Sequence, residues 1–372
     1  MMKLRFDVAK CVRADSKFSQ CDKCVQAAPE YVRIDEQLPD FPKGTGVEAA
    51  ACVGACPTEA FALDGFSATQ YFFDFVQQGR DTIAKDETLP CISLLSVEHL
   101  IALALASDKP LRAVVGEYKD DERLYALLLD RLEEANFILE SIQATPIRID
   151  DTVSLTQGEH PTEDTEDTAS DRRDFFKRTA TLEGVAKTKA ELDEALEEGE
   201  WHGFDIDEAA AQKIRDKHLP DKRKILYTVL KRAKKPEAYE ILAEEDVSFI
   251  SQKFVEETCT NCQICYRICP TGALSSDRKF SLIHFDAMLC VKCRLCHDVC
   301  EPDAIKLQPG FDTTMFFEPE TKTLATFHVR RCNECGNPFT YFGGEVICPR
   351  CKIEEEEAME LIMNAKKMEG KI

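Results

Sequence analysis

The sequence predicts a mixed α+β chain built from several small modules, and three observations carry that prediction. Its eighteen cysteines fall in spaced groups, strand-like and helix-like stretches alternate between the groups, and one acidic run divides the chain. A length of 372 residues allows more than one domain. The formal charge of -21, from 68 acidic against 47 basic residues, argues against a general nucleic-acid or anionic-membrane binder, whose affinity needs clustered positive charge. The opening MMKLRFDVAKC lacks the apolar core of an export signal, and no apolar run is long enough to span a bilayer, so neither export nor membrane insertion is expected. Paired CxxC groups in such a chain point to metal in a reducing compartment, and a cytoplasmic location is the expectation.

The densest group reads CTNCQICYRICPTGAL from Cys259 and CVKCRLCHDVCEPDAI from Cys290. Each half places cysteines at positions one, four, seven and eleven: Cys259, Cys262, Cys265 and Cys269, then Cys290, Cys293, Cys296 and Cys300. Residues 247 to 310 thereby resemble two-cluster bacterial ferredoxins, whose run is C-x2-C-x2-C-x3-C. Three thiolates two residues apart wrap one corner of an iron-sulfur cube, and the fourth arrives from the other half. The resemblance implies one [4Fe-4S] cluster on Cys259, Cys262, Cys265 and Cys300, and a second on Cys290, Cys293, Cys296 and Cys269. Pro270 follows its cysteine as the pattern requires, whereas Glu301 separates Cys300 from Pro302. Structural zinc on cysteine pairs is the competing reading, and two matching halves argue against it.

Residues 1 to 64 form a first module with Cys11, Cys21, Cys24, Cys52 and Cys56. Its ending, CVGACPTEAFAL, parallels CPTGAL at Cys269. The alignment resembles one interrupted ferredoxin half, which implies a third [4Fe-4S] cluster on Cys21, Cys24, Cys52 and Cys56. A second alignment, to single-cluster ferredoxins, leaves Ala27 where a third cysteine would stand and makes Cys11 or Cys52 the replacement.

Residues 65 to 149 read as a small α/β unit. LPCISLL and LRAVVGEY are taken as parallel strands joined by the helix SVEHLIALALAS, and DERLYALLLDRLEEANFILESI follows as a long amphipathic helix. The unit resembles the thioredoxin-like domains that accompany iron-sulfur subunits, without their ligands. Cys91 is its sole cysteine and reads as a buried small hydrophobe. Residues 150 to 171 hold eight acidic side chains and no Lys or Arg, the composition of a disordered linker. RRDFFKR at 172 to 178 resembles a twin-arginine signal, but its mid-chain position and charged sequel argue against export. Residues 172 to 246 then read as a helical connector, in which LPDKRKILYTVLKR is an amphipathic helix with a solvated basic face.

Beyond the ferredoxin-like core, residues 326 to 353 carry Cys332, Cys335, Cys348 and Cys351 as two CxxC pairs twelve residues apart. They resemble a zinc ribbon, a closed four-thiolate structural site; a rubredoxin-like iron is the alternative. Residues 354 to 372 read as a C-terminal helix, acidic then basic, complementing its own macrodipole.

The expected function is electron transfer: a carrier subunit with three [4Fe-4S] clusters and one zinc, without a substrate site of its own. The resemblance implies a redox partner such as a hydrogenase, formate dehydrogenase or related oxidoreductase. The alternative is a maturation or assembly factor for a redox enzyme. A redox-sensing regulator that grips nucleic acid through the ribbon is disfavoured by the acidic balance. Lys292, Arg294 and His297 lie among the second-half cysteines and are candidates to raise that cluster's potential.

Overall fold

The computed structural model describes residues 2–41, 46–151 and 217–369. Of the linker expected at 150 to 171, Asp150 ends a strand and residues 152 onward, with the RRDFFKR segment and the connector up to residue 216, lie outside the described residues. Among those described, the chain is a mixed α+β protein of small sheets. None of its helices is long and apolar enough to cross a membrane.

In the first module, β1 (Leu4–Phe6) will pair with the last strand of the segment. Between them come α1 (Val12–Asp15), α2 (Lys23–Ala27), the hairpin β2 (Arg33–Asp35) and β3 (Leu38–Asp40), and α3 (Ala51–Ala55). β4 (Phe61–Leu63) closes the module antiparallel on β1, with Leu4 opposite Leu63. Cys11, Cys24, Cys52 and Cys56 belong to its small core with Val32, Ala28 and Phe61.

Next follow α4 (Ala68–Gln77), β5 (Thr82–Ile83), α5 (Val97–Ala106), β6 (Arg112–Val114), α6 (Glu122–Ser141) and β7 (Arg148–Asp150). β5, β6 and β7 form a parallel sheet in that order. LPCISLL is not one of its strands: residues Ile92–Leu94 make a 3-10 turn, and the strand expected there is β5, several residues earlier. A short apolar run marks burial, and Leu89, Ile92, Leu94 and Leu95 are indeed buried, but burial alone does not select extended backbone. α5 starts in a capping box, with the Ser96 hydroxyl accepting from His99 N and His99 Nδ1 accepting from Ser96 N. It is apolar nearly all round because other helices cover it.

α7 (Asp221–Leu230) packs on α5. Its sequence suggests a solvated basic face, yet Lys222 and Arg223 are buried with Ile225, Leu226 and Leu230. A buried acidic partner on α5, Glu98, explains the difference. The connector is also not helical throughout, because β8 (Ile241–Ala243) interrupts it.

The cysteine-rich core then runs through β9 (Lys253–Val255), α8 (Ile264–Ile268), β10 (Leu274–Ser275), β11 (Leu282–Asp286), α9 (Leu295–Asp298), β12 (Ile305–Leu307), β13 (Gly310–Asp312), α10 (Thr314–Phe317) and β14 (Thr321–Thr326). β9 pairs with β12, β8 with β13, and β11 lies between β10 and β14. The hydrogen-bonded unit is therefore wider than residues 247 to 310, extending through β8 on one side and β14 on the other. The hairpin β15 (Val329–Arg331) and β16 (Pro338–Thr340) and the long helix α11 (Pro349–Glu369) complete the chain.

Candidate metal centres

The two halves of the core fold alike. In the first, Asn261 and Gln263 have positive φ of 52° and 71°; in the second, the corresponding Lys292 and Arg294 have 48° and 61°. Gln263 and Arg294 are the residues from which α8 and α9 start. A side chain with a Cβ is disfavoured in this region by roughly 1–2 kcal/mol, so the same conformation at four non-glycine positions marks a constrained loop. Such turns aim successive N–H groups at one concavity, where they stabilise negative charge. The exits match too: Gly272, Asp303 and Glu59, each three residues after Cys269, Cys300 and Cys56, all have positive φ. Ala304 N donates to Cys300 Sγ at 3.2 Å, and Ala60 N donates to Cys56 Sγ at 3.3 Å.

Cys269 does not gather with the triplet nearest to it in sequence. It lines a cavity with Cys290, Cys293 and Cys296, together with Lys253, Thr271 and Phe285. Cys300 stands near Cys259: burial raises the Cys259 thiol above its ordinary value, and the charges of Cys300 and Cys262 add to the rise. Burial pushes Cys296 up to about 12, helped by Cys290 and Cys269 and opposed by Lys253. Clustered, buried thiols cannot all ionise unless cations lie between them. The donor set therefore suits a thiolate-bound metal cluster.

A buried cation sits against the second cavity. Lys253 Nζ lies 3.3 Å from Ser251 Oγ and 3.0 Å from His297 Nε2, while Ser251 Oγ lies 3.5 Å from Cys290 Sγ. Burial, with Lys253 and Arg294 nearby, holds His297 down at about 3, so its neutral Nε2 accepts from Lys253. Of the three side chains singled out from sequence, Lys292 is engaged elsewhere: Nζ donates to Glu244 O at 2.7 Å and pairs with the Glu244 carboxylate. Lys253 carries no motif signal, because strand pairing brings it to the cavity from outside the cysteine run.

At the N-terminus the cavity is lined by Cys11, Cys21, Cys24 and Cys56, with Arg13, Lys23, Thr58 and Phe61. Burial, then Cys56 and Cys11, push Cys21 up to about 11. Cys52 is not in this lining. It is fully buried on α3, and its Sγ donates to Cys24 O at 3.4 Å. Cys52 stays within the helix, whereas Cys56 is the extended residue ending it. Cys11 arrives on the residue that closes the turn Val8–Lys10 and precedes α1.

Near the C-terminus the ligand atoms of Cys332, Cys335, Cys348 and Cys351 all lie within 4.8 Å of one another. Cys335 and Cys348 Sγ are 3.7 Å apart, close to the ~3.8 Å that tetrahedral geometry requires for metal–sulfur bonds of ~2.3 Å. Cys348 N donates to Cys332 Sγ at 3.2 Å. Burial raises the Cys332 thiol, but backbone N–H groups of Cys335, Cys348 and Glu334 outweigh it and bring it down to about 6. Glu59, His218 and Asp221 also converge. There, both Glu59 oxygens already accept backbone N–H groups, from Asp221 at 2.7 Å and Lys222 at 3.0 Å, which is the work of a helix cap. Cys91 is buried in the central core, its Sγ 3.0 Å from Ser93 Oγ.

Residues 253–275, which span β9, the first cysteine triplet and Cys269, match the 4Fe-4S binding domain family. No curated protein matches the chain. The chain thus carries a 4Fe-4S binding domain match at 253–275 and a separate four-cysteine cluster near its C-terminus suited to a metal ion.

Proposed function

We propose that this chain is a single-electron carrier for a redox enzyme, holding three [4Fe-4S] clusters and one structural zinc. What supports the reading is that Cys269 lies among the second-half thiols and Cys300 near Cys259, the grouping that an exchange of ligands between halves requires. Such an exchange would bring the two sites side by side, and α8 and α9, one from each half, pack together. The holding residues are Cys259, Cys262, Cys265 and Cys300; Cys290, Cys293, Cys296 and Cys269; and Cys11, Cys21, Cys24 and Cys56. Bound clusters supply reversible one-electron chemistry, while the chain supplies burial, N–H groups to sulfur and a nearby cation that set the potential. The likeness to ferredoxins supports a redox-enzyme subunit, of the hydrogenase or formate dehydrogenase kind, as partner.

The test is iron content and ligand exchange. Anaerobically purified protein is expected to hold about twelve irons, the sum of three four-iron clusters. Cys269→Ala is expected to convert the Cys290 site toward a three-iron form and spare the Cys259 site, and Cys300→Ala to do the reverse, as read by EPR. Damage to the Cys259 site alone in Cys269→Ala protein would sink the ligand exchange.

For the ribbon, Cys348→Ser is expected to lose about one zinc per chain and to speed amide exchange across Val329–Arg331 and Pro338–Thr340, because metal binding is folding free energy in a closed small site. The iron content is expected to stay unchanged. Iron with a rubredoxin-like absorption band in the unsubstituted ribbon would make it a redox site instead.

A further inference from the structure

The N-terminal cavity and the Cys290 cavity are connected by an unbroken run of buried polar contacts. Lys222 Nζ donates to Cys56 O at 2.6 Å and lies 3.5 Å from Glu98 Oε2. The other carboxylate oxygen, Glu98 Oε1, accepts from Arg223 Nε at 2.6 Å. Arg223 NH1 then donates to Cys290 O at 2.6 Å and Met288 O at 2.8 Å, and NH2 to Phe249 O at 2.8 Å. Lys222, Glu98 and Arg223 are 4%, 1% and 0% exposed. The two modules touch again on their cysteine loops, where Gln20 N, next to Cys21, donates to Asp298 Oδ2 at 2.9 Å, two residues past Cys296.

The Cys259 loop faces another way. Asn261 Nδ2 donates to Thr340 Oγ1 of the ribbon hairpin at 2.9 Å, and Cys262 is exposed. We infer that the Lys222–Glu98–Arg223 triad is a positioning and potential-setting device that joins the N-terminal site to the Cys290 site, so that the Cys290 site is the middle one of three and the Cys259 site is outermost, on the ribbon side. This rests on the proposed iron-sulfur reading of the three sites.

The physical reason is charge in a dry interior. Two cations and one carboxylate leave the triad with a net positive charge, and each cation ends on the carbonyl of a cysteine at a different site. A positive charge there favours the reduced, more negative state of whatever those thiolates hold, and low dielectric lets one charge act on both sides. His99, beside Glu98, adds no charge, because burial and Lys222 hold it at about 4. Glu98 partly cancels the two cations, so neutralising it acts on both sites together.

The experiment uses the full-length, cluster-loaded protein. Iron is counted first, and EPR signals are assigned with the Cys269→Ala, Cys300→Ala and Cys11→Ala proteins. An EPR-monitored redox titration of Glu98→Gln is expected to move the midpoints of the N-terminal and Cys290 sites upward while the Cys259 site stays in place. Lys222→Met, which removes the cation on the Cys56 side, is expected to move the N-terminal midpoint downward and serves where Glu98→Gln does not fold. Twelve irons with no shift, with a shift at one site only in Glu98→Gln, or with equal shifts at all three, overturn the inference and leave the carrier reading standing. Eight irons in the unsubstituted protein overturn both.

Discussion

Cys11→Ala is expected to cost the N-terminal site its four-iron form, taking the iron content below about twelve per chain, whereas Cys52→Ala is expected to leave the content unchanged. The two thiols are both buried and both close to Cys24 and Cys56, so proximity alone does not separate them. Their orientation does. Cys11 shares the cavity lining with Cys21, Cys24 and Cys56, while the Cys52 thiol spends its hydrogen on the Cys24 carbonyl. On the proposed ligand set, removing Cys11 takes away a ligand, whereas removing Cys52 deletes one sulfur from a packed core and one weak hydrogen bond, a cost of roughly 1–2 kcal/mol. Iron analysis with EPR on both variants decides the matter. Loss of iron in Cys52→Ala with retention in Cys11→Ala would reverse the ligand set.

Gly54→Ala is expected to be among the most damaging single substitutions in the protein. A Cβ at Gly54 falls 2.5 Å from Ser93 O, 2.6 Å from Arg131 NH1 and 2.7 Å from Leu95 O. Those neighbours cannot step aside, because Arg131 holds them: it donates to Ser93 O at 2.7 Å, to Leu95 O at 3.0 Å and to Ala51 O at 3.0 Å on α3 itself. The added methyl must either spread α3 from the central unit or break charge-assisted bonds in a buried place. Overpacking costs about 1–3 kcal/mol and each such bond about 1.5–3 kcal/mol, so a loss of about 3–5 kcal/mol is expected. Since α3 ends at Cys56, the same change is expected to lower N-terminal cluster occupancy. Urea unfolding and iron content measure the two effects, and a variant that unfolds at the unsubstituted midpoint would show that the contact yields. Arg131→Met is the companion variant: it relieves the crowding but leaves three buried carbonyls without their donor.

The cysteine spacing of the core was readable in the sequence because ligand spacing is local chemistry. The conformation that goes with it was not: the left-handed positions fall on Asn261, Gln263, Lys292 and Arg294, none of them the glycine that usually announces a positive φ. At the N-terminus, the likeness of CVGACP to the core favours Cys52 and leaves Cys11 as the alternative, and in the folded chain it is Cys11 that lines the cavity with Cys21, Cys24 and Cys56. The α7 helix misled in the same way. Its charges read as a solvated face because the side chain that buries them, Glu98, lies more than a hundred residues away. LPCISLL showed that it was buried and nothing about its backbone. For α7 the local pattern was sound, and a distant residue changed where its charges lie.

Both cysteine-loop segments are bracketed by paired strands, β1 on β4 and β9 on β12, with β8 on β13 doubling the second bracket. Their entry and exit points are therefore neighbours, held a strand's width apart. A segment with this geometry behaves as a cassette: splicing it into a surface loop of another chain needs only short joints and asks no element of the host to move.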